Sequence, residues 1–144
     1  MQRASADHDH RTAAPQAIVA GFCYFVAAFL LGLALAPVRI LLLEPRIGEV
    51  AAVFVELPIM LGWSWLACGW LMRWLDVPGR TAPALLMGGV AFLLLMLAEL
   101  CVSLYAVHGS LGGHFGSYGQ PHRLLGLVAQ IAFALFPFIR ARRR

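Results

Sequence analysis

The sequence contains no lysine and few charged residues of any kind. Arginine supplies all 11 basic residues, and charged residues make up 12% of the 144-residue chain, about half of the roughly 25% that is usual in soluble domains. Hydrophobic residues make up 61%. This balance excludes an ordinary soluble domain and indicates a membrane protein. Because each crossing of a hydrocarbon core about 30 Å thick takes about 20 residues, four crossings use up the chain.

Cysteine is also scarce. The three cysteines, Cys23, Cys68 and Cys101, each fall in an apolar stretch and form no C-x-x-C motif. An odd number with this spacing excludes both a disulfide framework and a thiol-redox enzyme. We expect the three thiols to act as small apolar side chains within helices.

Four long apolar segments, separated by groups of Pro, Gly and Arg, predict an all-α integral membrane bundle of four transmembrane helices. A polar run without periodicity at residues 1–15 is expected to form a disordered cytoplasmic tail, followed by the transmembrane domain at 16–140 and a basic cytoplasmic tail at 141–144. The predicted helices cover residues 16–43, 45–74, 83–107 and 121–139, with a turn at Glu44-Pro45 before the second helix.

The arginines are distributed unequally between the two sides of the predicted bundle. Eight fall on the side of the chain termini and three on the other: Arg3, Arg11, Arg73, Arg80, Arg140, Arg142, Arg143 and Arg144 against Arg39, Arg46 and Arg123. Loops rich in Arg and Lys stay in the cytoplasm, so both termini are expected there. Arginines at helix ends, rather than in a stripe on a soluble face, indicate topology and exclude nucleic acid as a partner.

Small residues recur along one face of the first predicted helix. Gly21, Ala28, Gly32 and Ala36 are separated by seven, four and four positions. Such a face lets a neighbouring helix approach closely, and we interpret it as a packing surface.

Ionisable residues gather at the outer end of the bundle, around the stretch PVRILLLEPRIGEVAAVFVELP. Glu56 lies 17 residues from Arg73, Glu99 lies 16 from Pro83, and Arg123 lies 17 from Arg140. At 1.5 Å per residue each distance is about 25 Å, so the three side chains reach one depth. The candidate site residues are Arg39, Glu44, Arg46, Glu49, Glu56, Glu99 and Arg123.

This Arg/Glu cluster has two interpretations. Charges are costly inside a membrane, so Arg39 and Arg123 could neutralise Glu56 and Glu99 and lock the bundle. Intramembrane ionisable groups also mark binding sites and ion paths, so the cluster could instead bind a polar ligand, a lipid headgroup or a partner helix. The alternative function is a proton-coupled or ion-coupled small-molecule transporter that uses Glu56 and Glu99. A cavity at the level of Glu56 would favour a ligand site, and closed, dry pairs would favour a lock.

Neither an enzyme nor a metal or cofactor site is predicted. His108, His114 and His122 are separated by six and eight positions in a Gly-rich loop, which matches no tight metal-ligand pattern. Haem would need histidines near mid-membrane on two helices, and the sequence has none. A nucleophile with a nearby base would have to come from Ser103 or Tyr105 beside Glu99, which is a weak arrangement.

The motif R-x-L-L-L-E-P-R-x-G-E, followed by V-E-L-P-I-M-L-G-W-S-W, resembles small four-helix integral membrane proteins of proteobacteria whose activity is uncharacterised. The resemblance covers residues 21 to 72 best and the fourth helix poorly. It implies a multi-pass inner-membrane protein and no particular activity. The partners expected from the sequence are the lipid bilayer and either a second copy of the chain or another membrane protein.

Overall fold

The computed structural model describes the backbone of residues 2–106 and 121–143, and the side chains of 13–102, 104 and 124–143. These residues form helices and connecting turns only, so the predicted all-α fold is confirmed. In chain order the elements are α1 (Gln2–Val38), a π-helical turn (Arg39–Leu43), α2 (Glu44–Ile47), α3 (Glu49–Trp74), α4 (Thr81–Ala106) and α5 (Pro121–Arg142). Within these described residues, four helices are long and apolar enough to span a membrane.

The four long helices form a bundle in which α1 and α5 each pack against both α3 and α4. Helices α1 and α5 therefore lie diagonally opposite each other. Small side chains such as Ala17 and Ala20 are fully buried in the interior, whereas large ones such as Leu41 and Leu66 are 72% and 65% exposed. This inversion of the soluble pattern is expected where lipid surrounds the bundle and close backbone approach holds the helices together.

Two glycines mark the closest approaches of α4 to its neighbours. A Cβ atom on Gly21 of α1 would lie 2.7 Å from the carbonyl oxygen of Met87, and one on Gly88 would overlap the carbonyl oxygen of Ala134 in α5. The predicted small-residue face of α1 is thus a packing surface at Gly21. Further along the same face, Ala28, Gly32 and Ala36 line a cavity instead.

The boundary between the first two predicted helices was placed wrongly at Glu44-Pro45. Pro45 lies at the start of α2, where its missing N–H is not needed by the helix. The chain reverses at Gly48, whose φ of 83° and ψ of 161° belong to a region that only glycine adopts readily. The second long helix therefore begins at Glu49 and not at Pro45.

The two ends of the chain also differ from the sequence prediction. Helix α1 starts at Gln2, so the segment expected to be a disordered tail has a helical backbone from that residue onward. Helix α5 continues to Arg142, two residues into the predicted basic tail. Basic side chains suit the negative end of a helix dipole, which favours this extension.

Helix α3 ends in a Schellman motif. The N–H of Val77 donates to the carbonyl oxygen of Met72 at 3.1 Å, and Asp76 between them has a φ of 48°. Val77 is 2% exposed and belongs to the same buried cluster as Met72, which is the hydrophobic contact that usually accompanies this cap. The predicted loop between the second and third long helices is thereby confirmed, and it is reduced to residues 75–80.

Candidate functional site

The candidate site is organised around Arg39, the first residue of the π-helical turn. The turn follows Pro37, which has no N–H to continue the α-helical bonding pattern. The N–H of Glu44 donates to the carbonyl oxygen of Arg39, five residues back. In an α-helix these two residues would point about 140° apart. The wider turn aligns them, and Nη1 of Arg39 donates to Oε1 of Glu44 at 2.8 Å.

Arg39 also contacts Glu56 on the facing helix α3. Its Nε lies 2.9 Å from Oε2 of Glu56, yet the N–H of Nε is directed at no acceptor. The contact is therefore an attraction between charges and not an aligned hydrogen bond. Both side chains are mostly buried, with 25% and 18% of their surfaces exposed. Glu56 consequently keeps unused hydrogen-bond acceptor capacity.

A second polar pair joins α4 to α5. The amide nitrogen Nε2 of Gln130 donates to Oε1 of Glu99. With the amide nitrogen donating to Glu99, the Gln130 carbonyl oxygen remains as an acceptor. That oxygen is buried and has no hydrogen-bond partner. Gln130 was not among the predicted site residues, because a lone Gln in an apolar helix carries no charge to signal a site.

Both polar pairs face one cavity of about 650 Å³ between the helices. Its volume lies within the range of about 300 to 1,000 Å³ that is usual for small-molecule sites. The charged side chains that line it are Arg39, Glu44, Glu49, Glu56 and Glu99. Among the lining residues that the structure describes, four carboxylates thus oppose one guanidinium.

The inner part of this cavity is mostly apolar, with Ser64 as its polar lining residue. Its walls include Phe29, Leu57, Met60 and Leu95. The cavity ends at Phe133, whose ring stacks on Tyr24 with centroids 4.1 Å apart. The arrangement is therefore amphipathic, with acceptors towards the outer end of the bundle and apolar side chains below them.

The structure brings together five of the seven predicted site residues at this cavity. Arg46 is exposed and does not line it. Gly48 lies between Arg46 and Glu49, so the two residues belong to different helices. Arg123 lies in the first turn of α5, but its side chain falls outside the described residues, as do His108 and His114.

Comparisons with protein-family models, with curated proteins and with solved structures gave no match for this chain. The resemblance to the proteobacterial four-helix membrane proteins stays a prediction. The site must accordingly be interpreted from its own chemistry.

Proposed function

We propose that this chain is a non-enzymatic membrane protein that binds a small amphipathic organic cation in the cavity between its four long helices. The single observation that carries the proposal is a pair of acceptors on the cavity wall above a largely apolar floor: the Glu56 carboxylate, which has unused acceptor capacity, and the Gln130 carbonyl oxygen, which has no hydrogen-bond partner. Such a site complements a ligand with an ammonium group at one end and an apolar body at the other.

The hydrogen-bonding state of the cavity supports a cation over an anion. Arg39, the described cation of the lining, is already engaged by Glu44 and lies against Glu56. The buried carbonyl oxygen of Gln130 needs a donor, since a buried acceptor without a partner costs free energy. An ammonium ligand supplies N–H donors and positive charge, whereas a phosphate or carboxylate ligand supplies neither.

Calorimetry in lipid nanodiscs tests this proposal with 2-phenylethylammonium as the probe and empty nanodiscs as the blank. We expect saturable binding, weakened about tenfold or more in Glu56→Gln and Gln130→Leu. The matched control is Asp76→Asn, which removes an exposed carboxylate at the other end of the bundle and keeps a residue that tolerates positive φ. Equal binding of 3-phenylpropionate, an anion of similar size, would argue that the cavity does not select cations.

A proton-coupled carrier is the second candidate, and one observation favours it. Glu56 in α3 and Glu99 in α4 line the same cavity from separate helices, so one ligand can contact both. In proteoliposomes, an imposed pH gradient should then drive uptake of the probe in the wild type and not in Glu99→Gln. If the probe binds but a pH gradient drives no uptake, the chain is a binding protein and not a carrier. If the probe neither binds nor is taken up, the Arg/Glu cluster serves only to lock the bundle.

The proposal places the bundle in a bacterial inner membrane with both termini in the cytoplasm. The eight-to-three distribution of arginine between the two sides of the bundle supports the orientation, and the resemblance to proteobacterial four-helix proteins supports the choice of membrane. Reporter fusions after Arg144 and near Ser117 should report cytoplasmic and external positions respectively. An external C-terminus would overturn this orientation.

A further inference from the structure

A second cluster of charge lies at the opposite end of the bundle, where α3 and α5 end. The guanidinium of Arg140 in α5 folds back onto α3 and lies directly on Gly69, where a Cβ atom would overlap it. Its central carbon is 4.3 Å from the ring centroid of Trp65. The absence of a side chain at Gly69 is therefore what lets this cation reach the indole.

Arg143 reaches the same indole. Its guanidinium carbon lies 5.8 Å from the ring centroid of Trp65, so two cations lie within 6 Å of one ring. Arg142, between them in sequence, lies instead 4.6 Å from the ring of Phe138. The face of the indole ring attracts each guanidinium. The two guanidiniums carry like charges, however, and repel each other when they lie on the same ring.

No carboxylate among the described residues balances the charges of this pair. Across the residues that the structure describes, neither Arg140 nor Arg143 forms a salt bridge. The Nε of Arg140 is buried and has no hydrogen-bond acceptor. Buried donors are nearly always satisfied. Among the described residues, the cluster thus has two guanidiniums and no anion.

We infer that Arg140 and Arg143 bind the phosphate of an anionic phospholipid from the leaflet at this end of the bundle. The depth of the cluster identifies the source of the phosphate. Trp70 and Trp74 near the end of α3 are exposed and stacked on each other, and exposed indoles in membrane proteins lie at the headgroup level. Guanidinium binds phosphate with paired N–H donors, so a lipid headgroup at that level can pair with the terminal guanidinium nitrogens of both arginines, while the buried Nε of Arg140 faces the bundle.

Lipid titration with native mass spectrometry tests this inference, using delipidated full-length protein in a neutral detergent. Phosphatidylglycerol should bind the wild type at least fivefold more tightly than phosphatidylcholine. Arg140→Gln and Arg143→Gln should each remove most of this preference. Arg142→Gln changes the charge by the same amount on the same helical turn and should keep it.

Three results would overturn the inference. Equal loss in all three variants would indicate a non-specific basic surface, and equal binding of the two lipids in the wild type would leave no headgroup site. Inorganic phosphate that competes fully at millimolar concentration would assign the cluster to a soluble anion.

Arg143 is not packed on Gly69, so Arg143→Gln keeps the test valid if Arg140→Gln misfolds. Because the cavity and this cluster are separate, Glu56→Gln should leave the lipid preference unchanged.

Discussion

Tyr24 contacts Phe133 twice, through its ring and through its hydroxyl group. The two rings stack with centroids 4.1 Å apart, and the tyrosine hydroxyl donates to the backbone carbonyl oxygen of Phe133 at 3.1 Å. The two residues belong to α1 and α5, the diagonally opposite helices, and both are buried. This contact crosses the centre of the bundle and closes the inner end of the cavity.

Removing the hydroxyl and removing the ring should therefore have different effects. Tyr24→Phe keeps the stack and loses the hydroxyl group with its hydrogen bonds to Phe133 and Ser64, each of which contributes about 0.5–1.5 kcal/mol to the unfolding free energy. Tyr24→Ala also leaves a cavity and should cost about 3–5 kcal/mol. Reversible unfolding in mixed micelles measures both. Equal losses in the two variants would contradict a contribution from ring stacking.

The neighbouring residues Gly88 and Gly89 provide a matched test of helix packing. A Cβ atom on Gly88 would overlap the carbonyl oxygen of Ala134, whereas one on Gly89 would meet nothing within 4 Å. Gly88→Ala should destabilise the fold by about 1–3 kcal/mol because backbone must move. Gly89→Ala should be neutral or stabilising because alanine favours helix. The reverse order in thermal denaturation would contradict the α4–α5 contact.

Gly48 should be intolerant of substitution for a different reason. Space around it is open, but its φ of 83° is strained for any L side chain. We expect Gly48→Ala to cost about 1–3 kcal/mol. The control is Gly62→Ala inside α3, where a Cβ atom also meets nothing within 4 Å and the backbone is helical. If both variants unfold at the same denaturant concentration, the reversal at Gly48 is not strained.

Arg39 should matter more for stability than either of its carboxylate partners. Arg39→Gln leaves both Glu44 and Glu56 without their cation, whereas Glu56→Gln leaves the Arg39–Glu44 pair intact. A double-mutant cycle on Arg39 and Glu56 should give a coupling of about 0.5–3 kcal/mol. Arg46→Gln, at an exposed position outside the cavity, is the control and should change little. Additive effects in the cycle would mean that the 2.9 Å contact contributes nothing to folding.

Much of the architecture follows from local sequence properties. Hydropathy and segment length predict the four long helices, because the requirement for an apolar segment about 20 residues long is met within each segment alone. The level of Glu56 and Glu99 follows from helix rise and residue number. The length of a segment and the level of a residue are each counted along a single helix, so predicting them requires no information about neighbouring helices.

The partners of the polar groups depended on packing between helices. Gln130 became the partner of Glu99, and Glu44 was aligned with Arg39 by a π-helical turn that residue spacing does not reveal. The cavity and the contact between Tyr24 and Phe133 likewise depend on the rotation of each helix about its axis. Composition constrains that rotation weakly in a membrane, because apolar residues occur on every face of the helix. Close contacts such as those at Gly21 and Gly88 set it instead, and they exist only once the helices are packed together.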